Sequence, residues 1–230
     1  MEQSKRNAGL EIRKGEGEED GRRGWSDVRL ATEELSLFKP EEKKVSTLAL
    51  LSVSNLLLHV LDKIGPALLV LRKDMQQNIE RVEEMYMLNP NLYSSLVEML
   101  KKEEDERSSR KKYSCSRAIL WIARSITFSV TLFQKLDENP ELSLVQVVEE
   151  TYNDTLKPWH GWIASTAYKV ALTLLPEREF FIRLLMGQEQ DYDGLKQDIE
   201  FYVSLIHPLL DETYDLLRTH KLDTLKSSNH

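Results

Sequence analysis

Apolar residues recur along this chain at intervals of three and four, and this spacing constrains the fold more than any other feature of the sequence. It places apolar side chains on one face of a helix, whereas strands would need strict alternation between turn signals. No run of alternating β-branched residues between such signals occurs. The sequence therefore predicts an all-α protein whose helices bury one face against each other.

Prolines and polar clusters divide the chain into eight or nine helical stretches. The predicted helices cover residues 26–38, 45–61, 66–87, 92–106, 116–136, 142–157, 161–175, a short piece that ends near 187, and 192–220. Pro158 is expected to bend the chain after the sixth helix. The last nine residues, LDTLKSSNH, are expected to fray.

Residues 1–27 differ from the rest of the chain in composition. Five of the nine glycines lie within the first 24 residues, among mixed charges and few apolar side chains. Such a segment cannot bury enough surface to offset the entropy lost on ordering, so a disordered tail is predicted. Residues 28–225 are predicted to form one domain, and 41% hydrophobic residues over the chain are enough for a sizeable core.

Composition also limits the class of ligand and the cellular compartment that are expected for the protein. A net charge of -7 and the lack of long Lys or Arg runs argue against a general nucleic-acid binder. The single cysteine, Cys115, leaves no intramolecular disulfide, as is usual in a reducing compartment. Neither a secretory signal nor an apolar stretch of about 18–20 residues is evident, so a cytoplasmic protein is expected.

Polar residues stand where two of the predicted helices should be apolar. Asp74, Asn78 and Arg81 follow each other at steps of four and three, so they share a helix face and can contact each other. Arg117 and Trp121 share a face of the fifth helix. A guanidinium suits phosphate or sulfate oxygens, and an indole is a flat platform for a sugar ring or an aliphatic surface.

Spacing alone indicates only a helical bundle with a polar seam. Asp74 and Arg81 also fit an ordinary surface pair. Trp121 and His160 also fit core positions. Arg124 is expected to be a structural partner in a buried ion pair and is left out of the site.

No pattern for catalysis or metal binding is present. The chain lacks the G-x-S-x-G, H-E-x-x-H, G-x-G-x-x-G and P-loop motifs. Cys115 has no evident base nearby, and the five histidines lack the spacing of metal ligands. Catalytic residues, cofactors and metals are therefore not expected, and the protein is predicted not to be an enzyme.

Three segments, in order, resemble the glycolipid transfer protein superfamily. They are DKIGPALLVLRKDMQQNIERVEEMYMLNP, AILWIARSI and KPWHGWIASTAYKVAL, and the resemblance covers roughly residues 34–220, closest to a plant branch. It implies a two-layer helical sandwich of about eight helices around a hydrophobic lipid pocket. It also implies a carrier that moves one ceramide-based lipid between membranes. A ceramide-1-phosphate-type carrier, or a sphingolipid sensor or adaptor with the same pocket, is the alternative.

The resemblance also implies roles for individual residues. Asp74 accepts hydrogen bonds from the ceramide amide N–H and from a headgroup hydroxyl, and His160 donates one to the amide carbonyl. Asn78 and Arg81 bind the headgroup, and Trp121 lies under the first sugar.

Arg117 departs from the glycolipid-binding pattern, which typically has an apolar residue there. Arginine at this position is typical of members that bind ceramide-1-phosphate, but those members have a second arginine in place of Trp121. The hypothesis is a headgroup that combines sugar with negative charge, such as an inositol-phosphoryl ceramide. A neutral glycosylceramide and ceramide-1-phosphate stay open.

Contact with membranes is expected to be transient and peripheral. Lys157 and Trp159 are predicted to touch the membrane, although Trp159 fits a core position equally well. Trp162 is a further candidate for this surface, but it is predicted to lie in the core. One sphingolipid per monomer is expected, no protein partner is indicated, and no nucleic acid is expected to bind.

Overall fold

The computed structural model describes residues 27–36, 45–64, 68–186 and 191–227. Within these ranges the chain forms nine α-helices, one 3-10 turn and no β-strand. The helices are α1 (Asp27–Ser36), α2 (Thr47–Ile64), α3 (Leu69–Leu88), α4 (Leu96–Asp105), α5 (Cys115–Glu138), α6 (Leu144–Thr155), α7 (Trp162–Leu172), α8 (Arg178–Met186) and α9 (Tyr192–Thr219). The predicted all-α class is confirmed. Residues 1–26, most of the predicted tail, lie outside the described residues.

The central helix of the fold is α5, which packs against α2, α3, α4, α6 and α9. More than half of its 24 residues are buried. Ser114 caps its first turn, and the buried carboxylate of Glu103 in α4 accepts hydrogen bonds from the backbone N–H groups of Cys115 (2.7 Å) and Ser116 (2.8 Å). A carboxylate is favoured at a helix N-terminus, where backbone N–H groups lack partners within the helix. These bonds fix the start of α5 against α4.

The apolar residues of α2 serve two surfaces. Leu50 and Val53 are buried in the core, whereas Leu61 and Ile64 line a cavity. As a result, α2 is long and apolar enough to cross a membrane by length and composition alone. The prediction that no stretch reaches this length is wrong for α2, because a helix that faces both a core and a cavity is apolar on both sides.

The chain between α6 and α7 determines where His160 lies. The sixth helix ends at Thr155, two residues before its predicted end at Lys157, and Pro158 lies in a 3-10 turn formed by residues Lys157–Trp159. His160 follows in an extended conformation, and α7 begins two residues later. Trp162, in the first turn of α7, is 71% exposed, so the prediction that it lies in the core is wrong. Among the eleven residues of α7, Trp162–Leu172, only Tyr168 is buried.

The chain turns back across the molecule after α9. Lys221 has a positive φ of 55°, and Leu222 N–H donates to Leu217 C=O, which is the hydrogen bond of a Schellman turn. The Leu222 side chain is 1% exposed and anchors the chain that follows. Residues 222–227, here termed the post-α9 segment, are therefore held in place, and the prediction that they fray is wrong.

Candidate lipid-binding site

A cavity of about 620 Å³ lies between α2, α3, α5, α6 and α7. Its walls are largely apolar, and they include Leu61, Ile64, Phe128, Val148, Ala167 and Leu172. The predicted headgroup and amide-binding residues line this same cavity: Asp74, Asn78, Arg81, Arg117, Trp121 and His160. The structure thus brings all six side chains, from α3, α5 and the turn before α7, to one apolar space.

The polar face of α3 forms a connected cluster. Arg81 Nη1 donates to Asn78 Oδ1 (2.8 Å), and Asn78 Nδ2 donates to the backbone carbonyl of Asp74 (3.1 Å). No hydrogen bond from the described part of the chain reaches the Asp74 carboxylate. Partial removal from water raises the pKa of Asp74, while the charge of Arg81 acts in the opposite direction. The carboxylate is therefore an acceptor that a ligand N–H or hydroxyl can satisfy.

Trp121 and His160 form the facing part of the site. Their rings stack with centroids 5.3 Å apart and planes inclined by 29°. The Arg124 guanidinium lies 4.8 Å from the Trp121 ring centroid. Arg124 itself is 2% exposed, and burial lowers its pKa to about 10, so it is still a cation at neutral pH. The His160 ring and the Arg124 guanidinium therefore both contact the indole.

His160 is fixed by a short chain of hydrogen bonds. Its Nδ1 lies 3.2 Å from the Tyr152 hydroxyl, and that hydroxyl lies 3.1 Å from Ser165 Oγ. The Tyr152 ring is stacked on Tyr168, with centroids 3.4 Å apart. Burial, and secondarily the charge of Arg124, lower the pKa of His160 to about 4. The imidazole is therefore neutral at physiological pH, with one nitrogen that donates and one that accepts.

The structure places the predicted membrane residues beside the cavity, not in its lining. Lys157 is exposed, and its Nζ donates to Asn153 Oδ1 (2.8 Å). Trp159 is half-buried, and its ring centroid lies 4.2 Å from the guanidinium of Arg124. Arg124 is structural, as predicted, but its partners are ring faces and backbone carbonyls instead of a carboxylate.

Sequence reasoning missed several residues of the site. Lys112 and Tyr113 line the cavity, and the Arg81 guanidinium lies 5.3 Å from the Tyr113 ring centroid. Both residues lie in a polar connection without helical periodicity, so no pattern marked them. Ser227 also lines the cavity, from a segment that was expected to fray.

Comparison with known proteins identifies the family. The family model described as "Glycolipid transfer protein (GLTP)" matches residues 45–187, which is more than half of the chain. The chain belongs to the glycolipid transfer protein family. It is similar to Glycolipid transfer protein 3 of Arabidopsis thaliana, with 46% identity over 178 residues, 77% of this chain and 76% of that protein. It is 41% identical to Glycolipid transfer protein 2 of the same plant over 209 residues, 88% of this chain and 94% of that protein. The predicted plant branch of the superfamily is confirmed.

Solved structures confirm the GLTP fold, a two-layer helical sandwich. A structure described as showing how FAPP2 selects simple glycosphingolipids with the GLTP fold has a TM-score of 0.76 and 23% identity, and covers 89% of this chain and 97% of its own. Human ceramide-1-phosphate transfer protein with 12:0 ceramide-1-phosphate has a TM-score of 0.76 and 19% identity, with 88% and 100% coverage. At such identities the likeness concerns the fold.

Proposed function

We propose that this protein binds one sphingolipid and carries it between membranes without changing it chemically. The observation that carries the proposal is the convergence of all six predicted lipid-contact residues on one largely apolar cavity. Membership of the glycolipid transfer protein family supports transfer instead of catalysis.

The cavity lowers the free-energy cost of taking a lipid out of a bilayer. A two-chain lipid leaves a bilayer slowly because its hydrocarbon meets water, which costs about 0.8 kcal/mol per methylene. Side chains such as Leu61, Phe128 and Leu172 offer the chains an apolar lining. The cavity therefore replaces the bilayer interior during transit.

Asp74 and His160 are proposed to recognise the ceramide amide. The amide has one donor and one acceptor, and a carboxylate together with a neutral imidazole can meet both. A lipid without a matching amide would leave these groups without partners in the cavity, which is the basis of selectivity. Asn78 and Arg81 are proposed to bind headgroup hydroxyls beside the Trp121 ring. These contacts fit a sugar.

The membrane-facing surface is proposed to surround the start of α7. Lys157 and Trp159 were predicted there from the sequence, and the exposed side chains of Trp162 and Ile163 belong to the same region. Indole rings favour the boundary between lipid headgroups and hydrocarbon. We propose that a cytoplasmic monomer docks transiently through this surface.

Vesicle transfer tests the proposal directly. The purified protein should move a fluorescent glucosylceramide from donor to acceptor phosphatidylcholine vesicles, and the lipid should be recovered unchanged. Asp74→Val should lower the rate at least ten-fold without unfolding the protein, because the lipid amide loses its acceptor. Asp211→Val, an exposed carboxylate on α9, is the matched control and should transfer normally. Tight binding with slow transfer by the natural protein would indicate a sensor instead.

A further inference from the structure

The post-α9 segment is bound to the same part of α5 that carries the headgroup residues. Arg124 Nη1 donates to the Leu225 carbonyl (2.7 Å), and Arg124 Nη2 donates to the Asp223 carbonyl (2.7 Å). Arg117 Nη2 donates to the Lys226 carbonyl at 2.6 Å. Both arginines thus bind backbone oxygens of this segment.

Ser227 joins the segment to the turn that carries His160. Its N–H donates to the Trp159 carbonyl (2.8 Å), and its Oγ accepts a hydrogen bond from Gly161 N–H (2.7 Å). Ser227 and His160 both line the lipid cavity. The segment is therefore part of the cavity wall at its polar end.

The chemistry of these contacts bears on headgroup choice. A guanidinium binds phosphate through two parallel charge-assisted hydrogen bonds, which are stronger than bonds to a neutral carbonyl. The hydrogen-bond acceptors that the segment offers to Arg117 and Arg124 are backbone carbonyl oxygens, and the negative charge of Asp223 in the same segment also acts on Arg124. Arg117 lies one helical turn from Trp121 and lines the cavity. A phosphate beside Trp121 would compete with the backbone carbonyl of Lys226 for the Arg117 guanidinium.

We propose that the post-α9 segment sets headgroup selectivity. The segment binds Arg117 and Arg124 through its carbonyls, so an uncharged sugar headgroup binds while the segment stays in place. An anionic headgroup binds these arginines only after the segment is displaced. This inference rests on the proposed function. It replaces the hypothesis that Arg117 reads a phosphate in the natural protein.

The test compares the transfer of two lipids by variants of Ser227. The natural protein should move monohexosylceramide at least ten-fold faster than ceramide-1-phosphate between phosphatidylcholine vesicles. Ser227→Pro removes both bonds of Ser227 and should reduce this ratio at least five-fold, through faster ceramide-1-phosphate transfer. Ser227→Ala removes one bond and should shift the ratio less, in the same direction. Ser204→Ala, on the exposed side of α9, is the matched control and should keep the natural ratio.

Hydrogen–deuterium exchange of the natural protein provides a second measurement that does not depend on a variant. Ceramide-1-phosphate at saturation should accelerate exchange of the Ser227 amide, whereas monohexosylceramide should leave it protected. Any of three results would overturn the selectivity proposal alone. They are equal transfer rates for the two lipids in the natural protein, an unchanged ratio of transfer rates in a folded Ser227→Pro variant, and equal protection of the Ser227 amide with both lipids. Transfer of neither lipid would overturn the proposed function as well.

Discussion

Acidification from pH 7 to pH 5 should destabilise the protein through His160. Its imidazole is neutral in the folded state because burial, with the charge of Arg124, lowers its pKa from 6.5 to about 4. Between these two pKa values the unfolded chain binds more protons at this site than the folded protein does. The stability contributed by the neutral imidazole is therefore complete above about pH 6.5, falls as the pH falls, and is lost below about pH 4.

The size of the effect follows from the two pKa values. A site with a pKa of 6.5 unfolded and about 4 folded loses about 2 kcal/mol of unfolding free energy between pH 7 and pH 5. His160 is partly accessible from the cavity, so solvent screening makes this value an upper bound. Even half of it is a measurable shift for a protein of ordinary stability.

Urea denaturation at the two pH values, followed by circular dichroism, measures the effect. Other groups also titrate in this range, so the relevant quantity is the difference between the natural protein and His160→Gln. The variant should lose about 1–2 kcal/mol less on acidification. His207→Gln, at an exposed position on α9, is the control and should keep the full loss. Equal losses in the natural protein and His160→Gln would refute the assignment of a neutral buried imidazole.

Two further substitutions test separate parts of the structure. His160→Leu should lower transfer of all ceramide-based lipids by a similar factor in the vesicle assay, because the imidazole reads the amide; strong discrimination between headgroups would contradict this role. Glu103→Leu should lower the free energy of unfolding by about 3 kcal/mol, since buried N–H groups at the start of α5 lose their acceptor. Glu84→Leu, on the exposed side of α3, is the comparison, and an equal loss there would argue against the capping role.

Helical periodicity and proline positions predicted most of the fold. The fifth helix was expected at residues 116–136 and spans Cys115–Glu138, because Ser114 and the apolar run that follows it are strong local signals. The ends of α6 and α7 were placed two to three residues too late. There the chain leaves the helix for a 3-10 turn and for the extended stretch before α8, and propensity does not resolve such ends.

The candidate site was predictable to the extent that helix geometry determines it. Asp74, Asn78 and Arg81 share one face of α3 by spacing alone, and the structure confirms that they lie together. Nothing in the spacing joined them to His160, which lies 79 positions beyond Arg81; only the resemblance did.

Long-range packing explains what the sequence left out. Trp162 was misplaced because α7 is apolar on most sides, and periodicity does not distinguish a cavity wall from a core. The order of residues 222–227 depends on bonds from Arg117 and Arg124, about a hundred residues earlier in the chain. Contacts between residues so far apart in the chain cannot be predicted from local composition.

The weak attachment of α7 indicates how hydrocarbon reaches the interior. This helix buries only Tyr168, whose ring stacks on Tyr152 and whose hydroxyl donates to the Val148 carbonyl (2.9 Å). An outward tilt of α7 would therefore disturb few buried contacts, and elements with few such contacts open at low free energy. With Trp162 at its exposed start, the wall that yields most easily is also the one proposed to face the bilayer. Acyl chains would then enter sideways, without passing through water.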